Sequence, residues 1–159
     1  MSEWNGKADV MRLEILHEVG GLCVDADSEA LHPIPDSFLD AACFAAWEHE
    51  THVPGTIATG TIASEPYGRL VFDVLDEIER RSGEEGWERL PAWRSVGPEV
   101  FTRLAKLHPE LVIHPAKAFI PEHYCGTPPA PYDGPIYARQ YFGSTVHSAW
   151  FRYKGLSSA

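Results

Sequence analysis

An α/β fold is predicted by three features of the chain: a helix-like apolar stretch over residues 8–19 that stops at Gly20-Gly21, a strand-like run from Leu22 to Asp27 directly behind it, and a strongly amphipathic helix pattern over residues 67–81. The 159 residues, 17.7 kDa and 44% apolar, suffice for one domain spanning 1–159 with a filled core.

In the first stretch Met11, Ile15 and Val19 recur at i, i+4 and i+8, flanked by Val10, Leu13 and Leu16, which predicts a mostly buried helix. The glycine pair suits a left-handed cap, where a Cβ is penalised, followed by a sharp entry into a strand. Leu31-His-Pro-Ile-Pro35 reads as a loop with Asp36 or Ser37 capping a short turn, and residues 38–47 are apolar enough for either strand or helix. Residues 49–60 read as polar and mobile, with residues 61–64 a short buried piece. In the second helix Leu70, Val71, Val74, Leu75 and Ile78 form one stripe. Residues 82–87 read as a turn, Gly97-Pro98 opens a further helix to residue 107, and residues 111–114 form a short strand. The proline- and glycine-rich stretch of about 121–135 reads as an ordered surface loop.

Composition narrows the partners. A formal charge of −10 repels nucleic-acid phosphates and anionic lipid, so neither is expected. No apolar run nears the roughly 20 residues of a bilayer span, and the start lacks a signal-peptide core, so the expected location is cytoplasmic. Cys23, Cys43 and Cys125 are too scattered for a disulfide framework; Cys23 is the expected core thiol. Glu48-His-Glu-Thr-His52 sets two imidazoles three apart rather than the four of a His-Glu-x-x-His zinc helix, and reads as a solvated loop. His108, His114 and His123 show no ligand spacing.

Strand alternation places Cys23, Asp25 and Asp27 on one face, so two carboxylates project together from the end of an apolar strand. Hard oxygen donors in that arrangement suit Mg²⁺ or Mn²⁺ bridging a diphosphate. Asp9 and Arg12, at i and i+3, share one face of the preceding helix.

The order Asp9-x-x-Arg12, Gly20-Gly21, a short apolar strand and Asp25-x-Asp27 resembles the signature of the DXD sugar-binding glycosyltransferases, the family 32 mannosyltransferase-like enzymes and the glucosylating bacterial toxins. Fainter echoes are Thr61-Ile-Ala-Ser-Glu-Pro66, Ser95-Val-Gly-Pro98 with Phe101, Phe119-Ile-Pro121, and Val146-His147-Ser-Ala-Trp150. The resemblance implies a three-layer α/β/α fold of the GT-A type. It further implies metal-dependent hexosyl transfer from a nucleoside diphosphate sugar to a hydroxyl of a glycan, lipid or protein acceptor. By the same resemblance Asp9, Arg12, Asp25 and Trp150 bind substrate, while Asp27, Asp25 and His147 hold Mn²⁺ or Mg²⁺; no catalytic nucleophile is assigned. Only eight residues precede Asp9, where family members carry a nucleotide-binding region, so the fold is expected to be truncated, with a second chain as a candidate source of that half. The alternative expectation is a noncatalytic carbohydrate or nucleotide-sugar binding remnant. A purely structural interaction domain would make the acidic pair incidental.

Overall fold

The computed structural model describes residues 4–143. Its elements are α1 (Trp4–Val19), β1 (Gly21–Val24), β2 (Ser28–Ala30), β3 (Cys43–Trp47), β4 (Ile57–Ser64), α2 (Arg69–Ser82), α3 (Ala92–Ser95), α4 (Pro98–Ala105), β5 (Leu111–His114) and β6 (Ala138–Gln140). Four strands form the main sheet in the order β1-β4-β3-β5; β4 runs antiparallel to β1 and β3, and β5 runs parallel to β3. β2 and β6 pair separately, joining residues more than a hundred apart in sequence.

Side-chain alternation sends β3 to two cores. Cys43, Ala45 and Trp47 face α1, α2 and α4, where Leu13, Leu16, Val71, Val74 and Phe101 pack. Phe44 and Ala46 face the opposite side, covered by Phe119, Ile120 and Tyr137. The sheet is therefore the middle of three layers, and the layer opposite the helices consists of 3₁₀ turns and extended chain, with helical turns at Asp36–Phe38 and Ala116–Ala118.

Four sequence expectations change. In α1 the stripe Met11, Ile15 and Val19 is exposed, together with Trp4, and the buried face is Leu13 and Leu16 beside Gly6. Apolar residues occupy both sides of this helix, so periodicity leaves the choice open, and the face that also carries Asp9 and Arg12 turns inward. Residues 49–60 are not a polar mobile stretch throughout: Ile57 begins β4, whose eight residues are all buried. Its Ala, Thr and Gly content hides it from hydropathy, yet small residues are what a central strand covered on both faces accommodates. The apolar stretch 38–47 resolves into a strand only at Cys43, and Cys43, not Cys23, is the buried thiol, its pKa pushed up to about 11 by burial and the nearby Glu110 and Glu65. Cys23 is half-buried, packed against the helix-side core. α2 matches its predicted stripe, with Leu70, Val71, Val74 and Ile78 buried. The stretch 121–135 is not wholly on the surface, since His123 is buried.

The α1–β1 corner depends on backbone that only glycine adopts easily. Gly20 has φ +70° and its amide donates to the Leu16 carbonyl at 3.0 Å, closing the helix; Gly21 follows at φ +99°. A Cβ on Gly20 would lie 2.6 Å from Pro66 Cδ, whereas one on Gly21 would meet nothing within 4 Å. Gly21→Ala is therefore expected to cost about 1–2 kcal/mol from backbone strain alone, and Gly20→Ala clearly more. Urea denaturation of the two variants checks the order.

Candidate functional site

β1 ends at Val24, and the acidic pair lies just past it, in the turn that carries the chain to β2. The Asp25 amide donates to the Gly60 carbonyl at 3.0 Å, and the Asp25 carbonyl accepts from the Ser28 amide at 2.9 Å. Next door, β4 carries a wide bulge: Ala45 pairs with Ile62 and Ala46 with Ala58, so Thr59, Gly60 and Thr61 have no partner in β3. A bulge bends the strand that carries it, and Arg12 of α1 meets β4 at this one.

Arg12 reaches from α1 into that bend. Its Nη1 donates to the freed Thr59 carbonyl and its Nη2 donates to Asp25 Oδ1 at 2.5 Å, while Nε lies 3.6 Å from Asp9 Oδ1. The other Asp25 oxygen, Oδ2, accepts from Gln140 Nε2 at 2.6 Å. Asp27 is held from the same distant segment: Gly143 N donates to its Oδ2, and its backbone carbonyl accepts from Tyr141 N at 3.1 Å. Asp27 Oδ1 takes no hydrogen bond from the described residues. Glycine at position 60 makes room for this pair: a Cβ there would lie 2.6 Å from Asp25 Oδ2 and 3.0 Å from Gln140 Oε1, so both side chains would have to shift. Gly97, in the turn before α4, approaches Asp9 in the same way; its Cβ would stand 3.0 Å from Asp9 Oδ2.

These groups line a cleft of about 620 Å³, within the range of small-molecule sites. Asp9, Arg12, Asp25 and Asp27 thus share one cleft, joined by residues that sequence reading did not single out: Glu48, Thr59, Gly60, Trp93 and Gln140. Glu48 sits one residue past β3, at the same strand-end level as the acidic pair, a position legible once 43–47 is read as strand. Gln140 has no local signal at all, since its role comes from β2–β6 pairing. His147 and Trp150 lie outside the described residues.

The charges are unbalanced. Three carboxylates, Asp9, Asp25 and Asp27, face one guanidinium in the cleft, and Glu48 adds a fourth. Burial dominates at Asp9 and raises its pKa to about 6, against the lowering by Arg12 and a hydrogen bond from Thr59; Asp25 adds a further upward push. Oxygen donors in excess of local positive charge fit a hard divalent cation, with the spare Asp27 oxygen the best placed to bind it directly. Asp25 has both oxygens engaged and acts first as the anchor of Arg12 and Gln140.

The chain has an α/β fold of the GT-A type. It is similar to the solved structure titled "PaToxG Glycosyltransferase", with a TM-score of 0.50 and 18% sequence identity over 67% of this chain and 36% of that one. The chain thus spans about a third of the length of that neighbour. No protein-family model and no curated protein sequence matches the chain. Among the described residues, no helix is long and apolar enough to cross a membrane.

Two measurements probe the geometry. An acid whose pKa is raised by folding holds fewer protons when unfolded, so stability falls as pH climbs from about 4 to about 6. The loss should approach about 3 kcal/mol, and Asp9→Asn should flatten that part of the profile in urea titrations at fixed pH values. Gly60→Ala should displace Asp25 from Arg12 or Gln140 and destabilise the fold by about 2 kcal/mol or more, seen as a lower urea midpoint.

Proposed function

We propose that the cleft binds a nucleoside diphosphate sugar together with Mn²⁺ or Mg²⁺ and supports transfer of the sugar to an acceptor hydroxyl. The observation that carries this reading is the convergence of Asp9, Arg12, Asp25 and Asp27 in one cleft at the end of β1. Three carboxylates against one guanidinium would repel a diphosphate by themselves, so the anion needs a cation beside it. The GT-A-like fold supports the same class of chemistry.

In this reading Asp27, with Asp25 close by, would hold the cation, which would supply charge neutralisation for a departing diphosphate. Asp9 and Arg12 orient the sugar through its hydroxyls. Arg12 is already clamped by Asp25 and the Thr59 carbonyl, so it presents a fixed donor direction and loses little freedom when the sugar arrives. Trp93, more than half exposed at the cleft wall, offers a flat face against which a sugar ring or base can stack. His147 and Trp150 remain candidates for the metal and the substrate from the end of the chain.

Binding without transfer is the second reading. Mass-spectrometric detection of a glycosylated acceptor over many turnovers separates the two. For the binding step itself, calorimetric titration of UDP- and GDP-sugars is expected to give dissociation constants around millimolar, about −4 kcal/mol, in Mn²⁺. Binding should vanish in EDTA and in Asp27→Ala. Equal affinity with and without the metal would overturn the proposal.

A further inference from the structure

Glu48 has a second neighbour besides the cleft. Its Oε1 accepts from His123 Nε2 at 3.1 Å, and the His123 side chain is fully buried. His49, the next residue along from Glu48, is also fully buried, so the stretch read from sequence as a solvated loop turns its first histidine inward. Cys125 completes the group. One ring nitrogen from each histidine and the Cys125 Sγ all lie within 4.8 Å of one another.

Hydrogen bonding prepares these groups as ligands. His123 Nε2–H donates to the Glu48 carboxylate, the carboxylate–histidine arrangement that orients metal-binding imidazoles, and leaves Nδ1 as the acceptor, where the Cys125 amide lies at 3.3 Å and a metal would take its place. His49 Nδ1 accepts from the Thr51 and His52 amides at 3.4 and 3.1 Å, which places its proton on Nε2, where it donates to the Thr127 carbonyl at 3.1 Å; a metal at Nδ1 would displace the two amide contacts and keep the Nε2–H bond. Cys125 Sγ lies 2.9 Å from Thr127 Oγ1. A bound cation would take the His123 Nδ1 lone pair and the Cys125 sulfur as thiolate, the thiol proton leaving to solvent.

A fourth group is near. The His52 ring centroid stands 5.8 Å from that of His49 and 5.7 Å from that of His123, and the latter two are 5.0 Å apart. Imidazoles sharing one tetrahedral ion have centroids about 5 Å apart, and N and S ligand atoms about 3.5 Å apart, so closure requires shifts of roughly 1 Å. His52 is exposed and follows His49 in a turn closed by the Val53 amide on the His49 carbonyl at 3.1 Å, which leaves its side chain free to swing in.

We propose that His49, His123 and Cys125, with His52 as the fourth ligand, form a Zn²⁺ site separate from the acidic cleft. Imidazole nitrogens with one thiolate suit Zn²⁺ and not the hard cations expected at Asp27. The ion cross-links the turn after β3 to residues 123–125 and, through His123, fixes the Glu48 carboxylate at the cleft wall. The site stands whether or not the cleft takes a nucleotide sugar.

The test uses the full chain purified without chelator, with zinc measured by mass spectrometry and Co²⁺ titrated into the metal-free protein. About one zinc per chain is expected, with the visible bands of tetrahedral Co²⁺ and a thiolate-to-cobalt charge-transfer band. Cys125→Ser should remove the charge-transfer band, His49→Ala and His123→Ala should each weaken the metal at least tenfold, and Asp27→Ala should change none of this. Should the two buried-histidine variants fail to fold, the exposed and half-exposed positions still decide: affinity unchanged in His52→Ala overturns the fourth ligand, and a charge-transfer band that survives Cys125→Ser overturns the site. A folded protein with no tetrahedral cobalt spectrum, whose Cys125 is alkylated equally fast with and without zinc, also overturns it and marks Cys125 and His123 as a reactive thiol pair instead.

Discussion

The ion pair between Arg12 and Asp25 is the interaction on which the arrangement depends. Through its two oxygens and its backbone, Asp25 touches α1, β4, the β1–β2 turn and β6, and Arg12 adds the Thr59 carbonyl. Both side chains are mostly withdrawn from solvent, so losing either partner would strand a charge where water reaches it poorly, a change that typically costs a few kcal/mol. The pair is thus a structural bond as much as a recognition element, and the turn after β1 keeps its shape because Arg12 holds it from outside the sheet.

The sheet supplies the space for that pair. β4 is buried along its whole length and is built of small and β-branched residues, and its bulge releases three consecutive residues from β3. A regular strand would give the Thr59 carbonyl to β3 and leave Arg12 without its second anchor. Gly60 then lets Asp25 approach to where a Cβ would force it aside, and Gly97 gives Asp9 a tight but less exclusive seat. Fold and site share these residues, which is why the least hydrophobic strand of the main sheet occupies a central position.

Local pattern made α2 and the Gly20-Gly21 corner legible, because a clean apolar stripe and a pair of glycines each have one physical interpretation. It also placed Asp9, Arg12, Asp25 and Asp27 together. The strand alternation invoked for the acidic pair was not the cause, since both carboxylates lie beyond β1 in a turn. α1 was misjudged on its buried face because Met11, Ile15 and Val19 are as apolar as Leu13 and Leu16, and only packing against the sheet distinguishes them. β4 was half missed because burial there selects for small size, not hydrophobicity. Gln140, Gly143 and the His49–His123–Cys125 group escaped because their proximity arises from chain crossings that no short window contains.

The two carboxylates at the cleft are held by groups 115 and 116 positions further along the chain, Gln140 for Asp25 and the Gly143 amide for Asp27. Closing so long a loop is entropically slow, so the helix-side core of α1, α2 and α4 can consolidate while the acidic turn still lacks its distant partners. The turn after β1 and the segment carrying β6 are then expected to gain amide protection together, closing after the core and opening before it. A cation gripped by Asp27 would extend the lifetime of that closed unit, and hydrogen exchange at Ser28 and Tyr141, whose amides both point back into the acidic turn, would slow in step.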